Sequence, residues 1–175
     1  TGDGVLIALD PVARRARWKY RTVLAMTGID ATLAVADLDG NGDLETVFCD
    51  AAGYIYAVGS DGLEHWVVRM GGNAESAPAI GDVDGDGGLE VVVGTNEGYL
   101  YCFSAQGELE WQFAAPPRIC SSPAIADVDG DGETEILFGS HNNRLYCLTL
   151  HGRYDARLVP WPTRRFDPAQ TGWVR

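Results

Sequence analysis

The sequence predicts an all-β fold, and two observations carry that expectation: a 45-residue period seen three times, and four short apolar runs inside each period. The period is marked by the acidic segments Ala36–Glu45, Gly81–Glu90 and Ala126–Glu135, which begin 45 residues apart with no insertion between them. The register holds outside the segments. Leu33–Val35, Pro78–Ile80 and Pro123–Ile125 precede them, and Gly53–Tyr56, Gly98–Tyr101 and Asn143–Tyr146 follow. The runs are rich in β-branched and aromatic residues, are separated by glycine-rich turns, and nowhere sustain a 3.6-residue period. One four-stranded antiparallel sheet per repeat is the reading, and a period of this length with four strands is the signature of a β-propeller blade. Twisted blades are apolar on both faces, so they are stable only when stacked on neighbours.

Taken in order, the chain starts part-way through a blade. Gly4–Leu9 aligns with Gly53–Val58, and Arg17–Tyr20 aligns with the strands holding Trp66 and Trp111, so residues 1–30 read as the third and fourth strands of a half blade. Blades with acidic loops follow at 31–75, 76–120 and 121–159. In the last of these the fourth strand is expected near Arg153–Val159, with Ala156 where the earlier repeats have Trp. Residues 160–175 form a tail with no counterpart in the repeats, and its Pro160, Pro162 and Pro168 make it a poor source of strands. The sum is a partial propeller of about three and a half blades, whereas closed rings need about four to eight. Three resolutions are open: closure of a small ring by the tail, pairing of two chains, or membership of a longer polypeptide. The chain opens at Thr1 without an initiator Met, so processing or trimming of a preceding segment is expected.

Composition narrows the function. With 25 acidic and 13 basic residues the formal charge is −12, yet 46% of residues are hydrophobic, which excludes a disordered acidic chain. Nucleic acid is excluded as a partner, because the field repels a polyphosphate. No run is long and apolar enough for a membrane span. The acid is concentrated: residues 31–150 carry 20 acids against Arg69, Arg118 and Arg144, while the two ends together carry a net +5. The basic ends, among them Arg14, Arg15, Arg17 and Lys19, read either as solubilising faces or, more sharply, as surfaces that meet the acidic middle of a neighbouring chain.

Within each acidic loop the spacing is that of a hard-cation site. Oxygens fall at positions 1, 3, 5 and 9, and a backbone carbonyl at position 7. The candidate ligands are Asp37, Asp39, Asn41, Asp43 and Glu45 in the first loop, and Asp82, Asp84, Asp86, Gly88 and Glu90 in the second. The third has Asp127, Asp129, Asp131, Glu133 and Glu135. Residues 43, 88 and 133 contribute through their carbonyls. Three such carboxylates within a few residues repel one another unless a cation lies between them. Calcium, with about six to eight oxygens in flexible geometry, fits better than magnesium, so Ca²⁺ is expected at about three sites. An EF-hand is rejected because position 12 is Phe48, Val93 or Phe138 in a strand-like run, where a bidentate Glu between helices is required.

These segments resemble the calcium-binding FG-GAP repeats, also called VCBS repeats, of integrin α-like β-propellers, over about residues 31–150. The most complete version runs from Asp127 to Glu135, preceded by Ser122–Ile125. Gly4–Asp10 with Trp18–Tyr20, and Gly98–Tyr101 with Gly107–Trp111, are also similar to pyrroloquinoline-quinone-like propeller repeats, including those of non-enzymatic outer-membrane assembly propellers. The resemblance implies a secreted, cell-surface or periplasmic protein that uses Ca²⁺ structurally and its blade loops for binding.

Catalysis finds little support in the residues. Quinone chemistry would need adjacent cysteines, and Cys49, Cys102, Cys120 and Cys147 are far apart; free, buried thiols are expected, with Cys120 in a loop. His65, His141 and His151 share no metal-like spacing, and no nucleophile–base pair is visible. The expected function is a non-enzymatic, calcium-stabilised module for protein interaction, adhesion or assembly, with a protein partner or self-association completing the ring. The alternative is a carbohydrate-binding or polysaccharide-active domain with a glycan ligand.

Overall fold

The computed structural model describes residues 3–24, 28–29 and 32–163. Thirteen strands in four antiparallel sheets account for nearly all regular structure there. The first sheet is a hairpin of β1 (Val5–Asp10) and β2 (Arg15–Arg21). The second holds β3 (Ala34–Ala36), β4 (Glu45–Cys49), β5 (Tyr54–Val58) and β6 (Glu64–Arg69). The third holds β7 (Ala79–Gly81), β8 (Glu90–Gly94), β9 (Tyr99–Ser104) and β10 (Leu109–Ala114). The fourth holds β11 (Ala124–Ala126), β12 (Glu133–Ser140) and β13 (Arg144–Arg153). Each sheet meanders in chain order, as hairpin connections require.

The 45-residue period is repeated in the hydrogen-bond register. Ala34 faces Val47, Ala79 faces Val92 and Ala124 faces Leu137. Alternation along the strands then sends successive side chains to opposite neighbours. In the second sheet Phe48, Tyr56 and Val58 pack towards the hairpin against Trp18 and Tyr20, while Val47, Cys49, Ile55 and Ala57 pack towards Val91, Val93, Tyr101 and Phe103 of the third. The third sheet in turn presents Val92, Leu100 and Cys102 to Ile125, Ile136 and Phe138 of the fourth. Three cores between four sheets are thus built from one repeated pattern, the stacking that makes a propeller.

Tryptophans join successive blades at their turns. The Trp18 indole N–H donates to the Ser60 carbonyl at 2.8 Å, and that of Trp66 donates to Ala105 at 2.8 Å. Each side chain lies against a turn glycine of the following sheet. A Cβ at Gly62 or Gly107 would stand 2.7 Å from the indole, and both glycines have φ near +80°.

Two expectations need correction. The fourth strand near Arg153–Val159 does not form: β13 ends at Arg153 and a 3-10 turn, Ala156–Leu158, capped by the Asp155 carboxylate, follows. Lacking a Trp like the one that seats β6, this segment turns inward and runs along the inner strands. Leu158 and Trp161 accept from the Asp82 and Ile80 amides at 2.7 Å, and Pro162 accepts from Ile125 at 2.9 Å. All four thiols are free, but only Cys49 and Cys102 are buried. Cys147 is exposed because it lies on the outer face of the fourth sheet, where no described residue covers it. Of the tail, residues 164–175 lie outside the described residues.

Candidate metal centres

Each acidic loop joins the innermost strand of a sheet to the next, so the buried ends of two strands hold its first and ninth residues together. Glycines at positive φ, such as Gly85 (+82°) and Gly87 (+93°), turn the backbone back on itself. The first carboxylate folds over the loop. Asp82 accepts from the amides of Gly85 (2.7 Å) and Gly87 (3.0 Å), and Asp127 accepts from Gly130 (2.7 Å) and Gly132 (3.1 Å). The ninth reaches back across the neck: Glu45, Glu90 and Glu135 each accept from the amide one residue after the first ligand, Leu38, Val83 and Val128, at 2.8–2.9 Å.

Carboxylate oxygens converge in all three loops. Asp37, Asp39 and Glu45 bring one oxygen each within 4.8 Å of one another, as do Asp82, Asp84 and Asp86, and Asp127, Asp129 and Glu135. Asn41, Asp43 and Asp131 are exposed on the loop surface, and Glu133 opens β12. Asn41 and Asp131 accept from the amides two residues on.

The donor set fits a hard cation. Asp37 Oδ1, Glu45 Oε1 and Glu135 Oε1 are buried and have no hydrogen-bond partner, although each side chain's other oxygen is bonded. A buried carboxylate oxygen left bare is costly. A divalent ion among them would supply the missing partner with the all-oxygen shell that Ca²⁺ takes.

Burial also lifts two of the neck glutamates above the usual carboxylate range: Glu45, and Glu90 to about 8, with repulsion from Asp84 and Glu110 adding to the second. A carboxyl whose pKa is higher in the folded state stabilises the fold while protonated, and loses that contribution as pH rises through the folded value. Protein freed of divalent ions should therefore be more resistant to urea at pH 5.5 than at pH 8. The difference should shrink in Glu90→Gln, and an equal slope in that variant would assign the effect to other groups.

Some neighbours of the loops were not legible as such. His65 Nδ1 lies 4.0 Å from Glu45 Oε1, and Glu110, raised by burial and by Asp84, stands beside the second loop. They occupy the same place in successive repeats, with Asp155 as the third member, so comparing that column across repeats would have exposed them. Asp155 is held down at about 2 by its hydrogen bonds to Arg157. A cavity of about 560 Å³ lies between the first two loops, lined by Asp37, Asp39, Glu90, Glu110 and Arg157 among others.

A family profile described as FG-GAP-like repeat matches residues 82–138, from the first ligand of the second loop through the third loop. This stretch is similar to an FG-GAP-like repeat. Solved structures agree on the architecture. BamB from Moraxella catarrhalis superposes with a TM-score of 0.63 at 21% identity, over 89% of this chain and 43% of its own. BBS1N in complex with ARL6DN superposes at 0.58 and 15% identity, over 92% of this chain and 49% of its own. The computationally designed Ika4 protein superposes at 0.54 and 12% identity, over 85% and 81%. The chain thus has a β-propeller fold and spans less than half the length of the first two. No curated protein matches the sequence. Among the described residues no helix is long and apolar enough to cross a membrane.

Proposed function

We propose that the FG-GAP-like segment belongs to a calcium-stabilised, non-enzymatic propeller that serves as a protein-interaction module outside the cytosol. The observation that carries the calcium reading is the set of bare, buried carboxylate oxygens on Asp37, Glu45 and Glu135, each in a residue that belongs to a cluster of converging carboxylates. The three centres comprise Asp37, Asp39, Asn41, Asp43 and Glu45, then Asp82, Asp84, Asp86, Gly88 and Glu90, and then Asp127, Asp129, Asp131, Glu133 and Glu135. When bound, the ion ties the two strands of a hairpin together across their neck and cancels repulsion within the loop. These residues position backbone and charge, and the propeller presents its loops on a rigid support. Sites of this composition suit the calcium concentrations of the cell surface or periplasm.

Protein partners are supported by the propeller crystallised with ARL6DN, which shares the fold. A glycan ligand has no comparable observation in its favour. Calorimetric titration of decalcified protein should find three calcium ions per chain, and Glu135→Gln should remove one of them while leaving two. Binding of no calcium would defeat this reading.

A further inference from the structure

The first acidic loop differs from the other two in what stands beside it. His65, on β6, places Nδ1 4.0 Å from Glu45 Oε1. That oxygen belongs to a fully buried side chain and has no hydrogen-bond partner, while its sister oxygen is already held by the Leu38 amide. A separation of 4.0 Å is too long for a hydrogen bond. It is within the span of two ligands of one ion, since bonds of about 2.0–2.2 Å from zinc to nitrogen and oxygen put opposite ligands up to about 4.2 Å apart. At the third loop His151 Nδ1 and Glu133 Oε2 are in direct contact at 2.8 Å and leave no such gap. A cavity of about 90 Å³ adjoins the first pair, lined by His65, Glu45, Asn41, Asp43 and Asp61 among others. The His65 side chain is 36% exposed, so an ion reaches it from solvent.

The repeat is adapted to the imidazole. A Cβ at Gly59 would stand 2.8 Å from His65 Nε2, so the ring occupies space that a side chain there would fill. The corresponding pairs one and two repeats on are Ser104 with Glu110 and Thr149 with Asp155, so the missing side chain accompanies the histidine. Asp61 Oδ1 lies 3.1 Å from the same point, a carboxylate on the side of the ring where an imidazole bound through Nδ1 carries its remaining proton. The loop is also poorer in charge than its relatives. Its fifth position is Asn41 where the others have Asp86 and Asp131, and calcium affinity falls with the number of charged ligands. Imidazole nitrogen suits zinc, copper and nickel, whereas calcium takes oxygen.

We propose that the first centre is a mixed nitrogen and oxygen site that prefers a borderline transition ion, of the class of Zn²⁺, to Ca²⁺, with His65 Nδ1 and Glu45 Oε1 as ligands. Asp37 and Asp39, whose oxygens converge with one of Glu45, complete the shell. In calcium alone all three loops fill with calcium, and zinc displaces it from the first. The inference rests on the reading of the acidic loops as cation centres and assigns the metal of one of them.

Equilibrium dialysis against micromolar Zn²⁺ in millimolar calcium should leave one zinc and two calcium ions on each chain. His65→Ala should weaken zinc binding by about a hundredfold, the upper end of the loss known for groups that only orient a metal ligand, and should return the count to three calcium ions. His151→Ala should bind zinc as the wild type does. In wild-type protein carrying ¹⁵N histidine, one equivalent of Zn²⁺ should shift the Nδ1 resonance of His65 and leave those of His141 and His151 in place, a readout that needs no variant to fold. Equal zinc binding by wild type and His65→Ala, or a His65 Nδ1 resonance that zinc does not move, would overturn the proposal. Titration with calcium alone reads the other loops separately: a wild type that holds zinc through His65 but binds no calcium would end the calcium reading and leave this one standing.

Discussion

Removing calcium should lower the melting temperature by tens of degrees. A ligand that binds only the folded state contributes about 2.7 kcal/mol when present at a hundredfold excess over its dissociation constant. Three such centres sum to roughly 8 kcal/mol, and a domain of this size shifts by about 2–4 °C per kcal/mol, so the expected fall is on the order of 15–30 °C. The physical source is local: bare buried oxygens on Asp37, Glu45 and Glu135 regain the partner they lack, and clustered carboxylates cease to repel. Differential scanning calorimetry with millimolar calcium and with excess chelator measures it. Magnesium at the same concentration should restore only a small part, since it gives up its waters reluctantly. A curve that does not move with chelator would remove calcium from the account of stability.

Trp66→Ala should cost about 3 kcal/mol, the lower end of the range for large aromatic truncations because the indole is only half-buried. The side chain packs beside the core between the second and third sheets, covers Gly107, and donates to the Ala105 carbonyl. Trp66→Phe keeps most of the packing and loses the hydrogen bond, for about 1 kcal/mol. Urea midpoints of the two variants separate the contributions. If they fell equally, the hydrogen bond and not the packing would hold the junction.

The blades were readable from the chain because repetition multiplies a weak signal. A single run such as Glu90–Gly94 is ambiguous between a buried strand and part of a buried helix, but three runs in register between identical turns are not. The clustering of acidic side chains was readable for the same reason, since Asp82, Asp84 and Asp86 owe their convergence to a local loop. His65 and Glu110 were missed because they reach the loops from the fourth strand of the sheet, a contact set by sheet packing and twist. The fate of residues 153–162 was missed because propensity there gave no direction. A strand was expected by analogy with the earlier repeats, and without the Trp the segment found its hydrogen bonds on Ile80, Asp82 and Ile125 instead.

Local periodicity and loop spacing thus carried the β architecture, the blade repeat and the three acidic centres, all of which depend on interactions within about 45 residues. Which carboxylate oxygens are bare, where the tail runs, and which faces remain open depend on how one sheet meets the next. The difference between Leu100, buried, and Leu145, exposed, is not in the residue or its neighbours in the chain. It lies in whether another sheet stands in front of it.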